Sequence, residues 1–481
     1  MLFISEFYLV FCFFIFFFYG IFNYYSFNNN FIFRFNGANY LLIQIMFNTL
    51  LIINNTFIDN LFLFNDTFYK DSNITELEII LLIIFCIFLI TTYNSFFKIN
   101  YFEYYLMLYI CVLSTFFLLY STHLVLFFIF FEIQSISIYI LSIFNKHYKK
   151  SIESTFKYFI IGSISSFLLL LFISIFYSFT GLFSFFDIYF FFKLESLYIE
   201  FNSLYLILFI ILCISLFIKL YIAPFHFWVS DIYESSIVIS TYFFSTFYFL
   251  SISFIFIKFY MCMFFFFFFF FKYFYMFFSI ISIIYGNLGA LNEINVKRLI
   301  AYSSVSSAGY FLCFFFVNDF IFFNLGLNFI ICYIFNLIPI FIFLVNTKLN
   351  NNTIDTIFDL FFIYKNNFFL GLAISILFFS LGGLPINIFF LYKLYLFLSF
   401  TNELFFVLFI FLFFNSIVGI FYYIKLIKDL FFFSGIINLK KSFFINFINL
   451  KSFFLFYIMF LFNLYIIFFP TYFIYISNFF I

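Results

Sequence analysis

Long apolar stretches recur along the whole of the 481-residue chain. A stretch of about eighteen or more such residues, folded as a helix, crosses the roughly 30 Å hydrocarbon layer of a bilayer. Apolar residues make up 67% of the chain and charged residues 9%, whereas a soluble domain is about half apolar and a quarter charged. The sequence therefore predicts an all-α integral membrane protein.

The same stretches exclude a membrane β-barrel, whose strands alternate polar and apolar residues. The run of phenylalanines at 264–271 shows no such alternation. We interpret this run as part of a lipid-facing helix rather than as a cofactor slot.

The chain holds 110 Phe and 39 Tyr but 13 Gly and 4 Pro, which is typical of an A/T-rich genome. We therefore expect an organelle-encoded product, which needs no transit peptide.

Polar breaks divide the chain into about fourteen apolar spans. Loops after odd-numbered spans carry most of the basic residues, including Lys146, Lys149 and Lys150, whereas loops after even-numbered spans carry chiefly Lys70 and Lys193. Short loops on the side of synthesis are enriched in Lys and Arg, so both termini are predicted to lie outside. The predicted spans are 7–27, 40–63, 77–97, 101–121, 123–145, 155–178, 202–226, 236–259, 264–290, 299–318, 320–346, 367–399, 404–427 and 452–478.

The overall charge and the cysteines argue against other classes of function. A formal net charge of +1 gives no basic field for nucleic acid. The seven cysteines lie in or beside apolar spans without a CxxC pair or metal-ligand spacing, so we interpret them as small buried hydrophobic residues. The sequence thus gives no indication of iron–sulfur, haem or zinc ligands on this chain.

Three ionisable residues stand out inside apolar spans: Glu132 in span five, Lys219 in span seven and Lys393 in span twelve. Such a side chain at mid-bilayer costs at least about 2.5–3.5 kcal/mol, so it is retained when it is paired, hydrated or used. A structural ion pair, or a charge that reaches the membrane interface, is the alternative for each residue alone. Three together favour a path for ions or protons.

Prolines next to two of these lysines predict interrupted helices. Lys219 precedes Pro224 by five residues, and Lys393 follows Pro385 and its neighbouring glycines. Proline removes a backbone hydrogen bond and clashes with the preceding turn, although it can also merely kink a packed helix. Broken helices at membrane depth are how transporters build ion sites near the midplane.

Spans seven and twelve are five spans apart, an odd number, which predicts two inverted five-helix repeats with broken helices 7 and 12. We expect N-terminal helices 1–3 in residues 1–100 and the first repeat, helices 4–8, in residues 101–260. The second repeat, helices 9–13, is expected in residues 261–430, and a loop and helix 14 in residues 431–481. Lys157 at the start of span six and His226 just past the first break are further candidate proton carriers, although a lone histidine at a helix end is often a cap or bridge.

Several motifs between about Ser72 and Tyr423 are specific in order and spacing. They read FFEIQSISIYIL, STFKYFIIGSISSFLLL, FTGLFSF, FIKLYIAPFHFWVSDIYE, YGNLGALNEINVKRLIAYSSVSSAGY and SLGGLPINIFFLYKLY. Together they resemble the antiporter-like subunit 2 (NuoN type) of respiratory NADH:ubiquinone oxidoreductase, complex I. The DIYE element distinguishes this type from the related subunits 4 and 5 and from Mrp-type antiporters.

The resemblance implies a proton-translocating subunit of the mitochondrial inner membrane, encoded in the mitochondrial genome. In that family the glutamate of span five pairs with the lysine of span seven, and span twelve supplies a lysine toward the exit; Glu132, Lys219 and Lys393 match these positions. FMN, iron–sulfur clusters, NADH and ubiquinone are expected on other subunits, with no cofactor on this chain. Expected partners are antiporter-like subunit 4, small membrane subunits, accessory subunits and lipids.

Two positions depart from the family pattern. Where the family usually has a midplane lysine in span eight this chain has Phe249, with Lys258 the nearest basic residue, and Ser307 replaces a common histidine. Lys258 is the weaker substitute, because nine helical residues place it about 13 Å from Phe249. We favour a hydrated relay through His226 and the span-ten serines, although span eight also offers hydroxyls. The serines in question are Ser303, Ser304, Ser306 and Ser307.

Two other functions remain open from the sequence. A free-standing cation/proton antiporter would need no redox partner, but the DIYE element argues against it. A scaffold that has lost pumping is supported by Phe249 and opposed by the retention of Glu132, Lys219 and Lys393.

Overall fold

The structure is a computed structural model that describes most of the chain. The described residues are 4–26, 37–54, 61–63, 66–94, 102–144, 148–195, 203–316, 320–349, 354–384, 388–402, 406–432, 445–447 and 450–468. The chain divides into two compact units. The first unit comprises Met1–Tyr93, Phe97–Lys219 and Phe254–Phe267, and the second comprises Asn94–Phe96, Leu220–Ser253 and Phe268–Ile481.

Helices make up most of both units, as the apolar spans predict. The first unit contains α1 (Ile4–Ser26), α2 (Gly37–Asn54), α3 (Ser72–Asn94), α4 (Phe102–Tyr120), α5 (Leu124–Ser142), α6 (Lys149–Thr180), α7 (Phe185–Glu195) and α8 (Ser203–Lys219). It also contains a hairpin of strands β1 (Leu61–Leu63) and β2 (Phe68–Lys70), with Phe62 opposite Tyr69.

The second unit contains α9 (Phe227–Ser235), α10 (Val238–Phe243), α12 (Phe268–Asn292), α13 (Val296–Cys313), α14 (Phe320–Asn346), α15 (Ile357–Asn366), α16 (Phe368–Gly382), α17 (Ile388–Asn402), α18 (Phe406–Phe432) and α19 (Leu450–Phe468). Between α10 and α11 (Phe249–Cys262) lies one turn of π-helix, Phe244–Tyr248. Helix α11 begins in the second unit and ends in the first. Strands β3 (Thr347–Leu349) and β4 (Ile445–Phe447) pair in antiparallel fashion.

The predicted fold class, all-α and membrane-spanning, is confirmed. Within the described residues, 9 helices are long and apolar enough to cross a membrane. Shorter apolar helices lie within the other predicted spans. The count of fourteen crossings and the four-part division of the chain stay predictions.

The interpretation of the phenylalanine run as lipid-facing is wrong for part of its length. Phe264 and Phe267 form one turn of 3₁₀-helix before α12 and are buried inside the first unit. The Phe267 ring lies 4.9 Å from the ring of Phe209 on α8 and 5.3 Å from that of Phe192 on α7. Periodicity does not reveal this burial, because every residue of the run has the same polarity.

Both predicted helix interruptions are present. Helix α8 ends at Lys219 and α9 begins at Phe227, with Pro224 between them. Helix α16 ends at Gly382, and Gly383 follows with φ 77°, a left-handed conformation that favours glycine. Helix α17 begins at Ile388; Pro385 itself lies outside the described residues.

A third proline shows what keeps a helix intact. Pro339 lies inside α14 and cannot donate a hydrogen bond to the carbonyl of Phe335. The side-chain amide of Asn463, on α19, donates to that carbonyl at 3.1 Å. A backbone group freed in the bilayer needs such a partner, so α14 continues through its proline.

Lys70 lies in a buried ionic cluster of the first unit. It contacts Glu6 of α1 and lies 3.3 Å from Glu78 of α3, and the Tyr120 hydroxyl also donates to Glu78. Burial opposes the charged form, but Glu78 and Glu6 raise the pKa of Lys70 above its usual value. The cluster therefore ties the β1–β2 hairpin to three helices.

Arg298, at the start of α13, joins the DIYE element to the α12–α13 connection. Its guanidinium lies 2.5 Å from Glu234, 3.7 Å from Glu293 and 3.9 Å from Asp231. Burial raises the pKa of the Glu293 carboxyl, and Arg298 opposes that rise. This network fixes α9 against the start of α13 within the second unit.

Helices α12 and α13 approach so closely that their contact needs glycine. A Cβ added at Gly286 would lie 2.7 Å from the backbone nitrogen of Ser306, and one at Gly309 would lie 2.7 Å from a side-chain carbon of Ile283. Small residues allow such approach between helices in membranes. The contact fixes the serine-rich face of α13.

We expect Gly286→Ala to destabilise the second unit by about 1–3 kcal/mol, because the backbone of α13 must move. The measurement is the apparent melting temperature of the purified protein in its native assembly. Gly419→Ala is the control, since a Cβ there would make an ordinary 3.5 Å contact with Asn287. Equal melting temperatures for both variants would contradict the account of the close contact.

Candidate functional site

Lys219 is the last residue of α8 and is 1% exposed. Its ammonium donates a hydrogen bond to the Tyr139 hydroxyl at 3.2 Å and lies 5.2 Å from the ring centre of Phe131 and 5.8 Å from that of Tyr158. Aromatic faces and the carboxyl end of a helix both attract a cation. The site therefore stabilises a charge at the point where the helix breaks.

Gly162 on α6 makes room for this arrangement. A Cβ at that position would lie 1.9 Å from the Tyr139 hydroxyl oxygen. Tyr139 lies on α5 and packs edge-to-face on Tyr158, with ring centres 4.8 Å apart. The absent side chain of Gly162 thus lets Tyr139 reach Lys219.

Glu132 lies on α5, two turns before Tyr139, but makes no direct ion pair with Lys219 in the described part of the chain. One carboxylate oxygen lies 3.4 Å from the Ser135 hydroxyl, and the other is buried without a hydrogen-bond partner among the described residues. The structure thus shows the two predicted partners apart, and the switchable ion pair stays a prediction.

The break after α8 carries a second tyrosine that the sequence did not single out. Tyr221 adopts φ 66°, which is uncommon for a residue other than glycine. Its hydroxyl donates to the carbonyl of Phe244 at 3.2 Å, where the π-helix begins, and its ring stacks on Phe249 at 5.2 Å. π-Helical turns are frequent at functional sites.

Phe249, which the resemblance places where a midplane lysine is expected, is fully buried. Lys258, the nearest basic residue, lies two and a half turns further along α11, and its side chain contacts the end of α4 instead. Its ammonium donates to the carbonyls of Leu118, Leu119 and Ser121 at 3.0, 2.9 and 2.6 Å. Lys258 therefore caps the carboxyl end of α4, as a cation there should.

Lys393 on α17 is 7% exposed and lies 4.7 Å from the ring centres of both Tyr310 and Phe389. A Cβ at Gly383 would lie 3.1 Å from its ammonium nitrogen, so the glycine turn after α16 approaches the charge closely. No acidic side chain of the described residues forms an ion pair with Lys393. This lysine depends on ring faces and on polar neighbours.

Those polar neighbours line a small cavity of the second unit with room for about one water molecule. Three of the four span-ten serines line it with Lys393; Ser304 does not. The lining residues are Asn287, Ser303, Ser306, Ser307, Tyr310, Tyr333, Leu381, Gly382, Phe389, Lys393, Gly419, Tyr422 and Tyr423.

The remaining two candidates lie elsewhere. His226 is 4% exposed and packs beside Tyr285 and Tyr302, with ring centres 5.5 and 6.4 Å away. It does not line the cavity around Lys393. Lys157 is about half exposed and forms an ion pair with Glu153 at 2.9 Å on α6. Their roles as proton carriers stay predictions.

Sequence reasoning missed three tyrosines: Tyr139 beside Lys219, Tyr221 in the break after α8, and Tyr333 in the lining of the cavity at Lys393. With 39 tyrosines in the chain, residue type alone gives no signal. Tyr139 could have been found, because it follows Glu132 by seven residues on one helix and so lies on the same face.

A family model described as "NADH:quinone oxidoreductase/Mrp antiporter, TM" matches residues 121–419, which is more than half of the chain. The matched region contains α5 to α17, including Glu132, Lys219 and Lys393. The chain belongs to the NADH:quinone oxidoreductase/Mrp antiporter family. This confirms the resemblance inferred from the motifs.

Relatives of this antiporter-family chain include the NADH-quinone oxidoreductase subunit N of Pelagibacter ubique, 30% identical over 81% of this chain and 82% of the relative. The NADH-ubiquinone oxidoreductase chain 2 of Marchantia polymorpha is 28% identical over 70% of this chain and 68% of the relative. A chain of respiratory complex I from Thermus thermophilus has the same fold, with a TM-score of 0.78 at 18% identity, covering 97% of this chain and 98% of that one.

Metal ligation offers no further site for this family member within the ranges that the structure describes. No group of three or more His, Cys, Asp or Glu side chains there could hold a metal ion. The buried lysines and their hydroxyl neighbours can instead gain, hold and pass protons.

We expect Tyr139→Phe to slow proton translocation by about tenfold, because a hydrogen bond to a charged group contributes about 1.5–3 kcal/mol. Gly162→Ala should act in the same direction by displacing the hydroxyl. Proton uptake by the assembled complex in vesicles is the measurement. Ser163→Ala is the matched control, since its exposed hydroxyl bonds only to Ile160 on the same helix. Unchanged uptake in both test variants would remove Tyr139 from the site.

Proposed function

We propose that this chain is the subunit-2-type, proton-translocating component of a mitochondrial NADH:ubiquinone oxidoreductase. The observation that carries the proposal is a buried lysine beside each helix break. Lys219 ends α8 in the first unit, and Lys393 follows the Gly383 turn in the second. Relatives that are 28–30% identical are named subunit N and chain 2 of this oxidoreductase, and these names support the assignment of the chain to the complex.

Lys219 holds the first proton in this mechanism. The Tyr139 hydroxyl and the surrounding ring faces stabilise the ammonium form, and a carboxylate at close range stabilises it further. When Glu132 approaches, Lys219 takes up a proton; when Glu132 moves away, the burial of the ammonium favours its release. Lys393 lacks a carboxylate partner among the described residues, so its proton depends on the cavity polar groups.

The driving force comes from neighbouring subunits, since redox chemistry belongs to FMN, iron–sulfur clusters, NADH and ubiquinone on other chains. Antiporter-like subunit 4, small membrane subunits, accessory subunits and lipids are the partners in the mitochondrial inner membrane. Aromatic and aliphatic side chains exposed along α6, such as Phe156 and Phe167, supply apolar surface for lipid or for those subunits.

A scaffold that assembles but does not pump is the second candidate. Phe249 favours it, because a packed phenyl ring carries no proton and is stacked on Tyr221. The buried lysines oppose it, because uncompensated intramembrane charges are costly to retain without use.

Lys219→Met should depress proton translocation and the NADH oxidation coupled to it, while the subunit content of the complex stays normal. Lys193→Met, on the exposed end of α7, is the control and should behave as wild type. The measurement is the proton-to-electron ratio of the complex in sealed vesicles. A wild-type ratio in Lys219→Met would remove this residue from the pathway.

A native gel of mitochondrial membranes distinguishes the subunit from a free-standing antiporter. The chain should migrate with NADH dehydrogenase activity. Migration apart from that activity would contradict the proposal.

A further inference from the structure

Helix α19 packs one of its faces within the second unit. Its buried residues recur every three or four positions, at Ser452, Phe456, Phe460 and Asn463, as expected for one face of a helix. Leu461, by contrast, is 58% exposed. Asn463 is thus a polar side chain on the packed face of an apolar helix, and polar residues at such positions hydrogen-bond across helices in membranes.

The partner of Asn463 is the backbone carbonyl of Phe335 on α14, which accepts from the side-chain amide at 3.1 Å. This is the carbonyl that Pro339 leaves without its usual donor, because proline has no N–H. The ring of Phe335 also packs against that of Phe462, with ring centres 5.5 Å apart. Asn463 therefore takes the place of one backbone hydrogen bond of α14.

The part of α14 that precedes this bond supports the surroundings of Lys393. Phe329 stacks on Phe389 with ring centres 4.6 Å apart, and it lies 6.2 Å from the ring of Tyr310. Those are the two rings whose centres lie 4.7 Å from the Lys393 ammonium. Tyr333, one turn further along α14, lies 6.0 Å from the ring of Phe389. The position of α14 thus determines where both rings lie relative to the ammonium.

A kink of α14 at Pro339 would displace these rings. A carbonyl without a donor is costly in hydrocarbon, and a proline whose freed carbonyl has no partner kinks its helix. Phe329 lies less than two turns before Phe335, so a bend there moves it relative to α13 and α17. Those two helices carry Tyr310 and Phe389.

We propose that Asn463 is a positioning residue for Lys393: its amide keeps α14 continuous across Pro339, and α14 holds the two rings that stabilise the ammonium. This inference rests on the proposed proton-translocating function. It gives a role in translocation to a helix that follows the matched residues 121–419. Asn463 acts on Lys393 through α14 and not by direct contact.

The proline separates this role of Asn463 from a general contribution to packing. An alanine at position 339 supplies a backbone N–H that can donate to the carbonyl of Phe335. With that bond restored inside α14, Asn463 becomes dispensable. The effects of substitutions at positions 339 and 463 are therefore not additive.

The experiment measures proton uptake by the assembled complex in sealed vesicles with NADH as substrate. Asn463→Leu removes the donor and should slow uptake by about tenfold, because a small misplacement caused from afar can lower a rate by about a hundredfold. Pro339→Ala alone should pump as wild type, and adding it to Asn463→Leu should restore wild-type uptake. Leu461→Ala, on the exposed face of α19, is the control and should also pump as wild type.

Two results of this series would overturn the inference. One is wild-type uptake in Asn463→Leu, and the other is a double variant that stays as slow as Asn463→Leu alone. Slowing in Leu461→Ala as large as in Asn463→Leu would assign the effect to α19 as a whole, which also contradicts a specific role of Asn463.

A high-resolution map of the Asn463→Leu complex gives a readout of positioning itself. The ring centres of Tyr310 and Phe389 should lie further from the Lys393 ammonium than the 4.7 Å of the wild-type chain. Unchanged ring positions together with slowed uptake would show that Asn463 does not act through these rings.

Phe329→Leu decides if Asn463→Leu lowers the subunit content of the complex. It removes the supporting ring and leaves the bond between Asn463 and Phe335 in place, so it should slow uptake as well. Wild-type uptake in Phe329→Leu would then overturn the positioning role.

Lys393→Met separates this inference from the proposed function. Loss of uptake in Lys393→Met together with wild-type uptake in Asn463→Leu would overturn the role of Asn463 and leave the function intact. Wild-type uptake in Lys393→Met would instead overturn the role of Lys393 in translocation.

Discussion

The cost of holding a lysine charge inside hydrocarbon is the constraint on which the rest of the site depends. For Lys219, that cost is offset by the Tyr139 hydroxyl at 3.2 Å, by aromatic ring faces and by the carboxyl end of α8, all of which stabilise the ammonium group. These contacts require Tyr139 to reach across from α5, which in turn requires Gly162 on α6. A glycine with no chemistry of its own thus controls the environment of Lys219.

The same constraint applies to the backbone, because a carbonyl freed in the bilayer must find a donor. The carbonyl of Phe244 at the π-helix accepts from Tyr221, and that of Phe335 accepts from Asn463. Where a side chain supplies the donor, as Asn463 does for the carbonyl that Pro339 leaves free, the helix continues. Where the chain instead turns, after Lys219 and at Gly383, a buried lysine lies at the turn.

Composition and spacing predict the helical membrane fold, the two breaks and the buried lysines, because an intramembrane charge or proline stands out against apolar residues. They do not predict the aromatic partners, because a tyrosine among 39 others looks the same whether it faces lipid or Lys219. A uniform run of one residue type gives no signal for the same reason: Phe264 and Phe267 pack inside the first unit, although nothing in the sequence distinguishes them from the other phenylalanines of the run. A side-chain contact that is fixed by tertiary packing leaves no signal in the local sequence.

The hydration of the cavity beside Lys393 is the most direct test of the account. A high-resolution map of the assembled complex should show ordered water between the hydroxyls of Ser303 and Tyr333 and the ammonium of Lys393. A dry cavity, closed by phenylalanine rings with no polar atom bridging to Lys393, would contradict translocation through this subunit and favour an inactive scaffold.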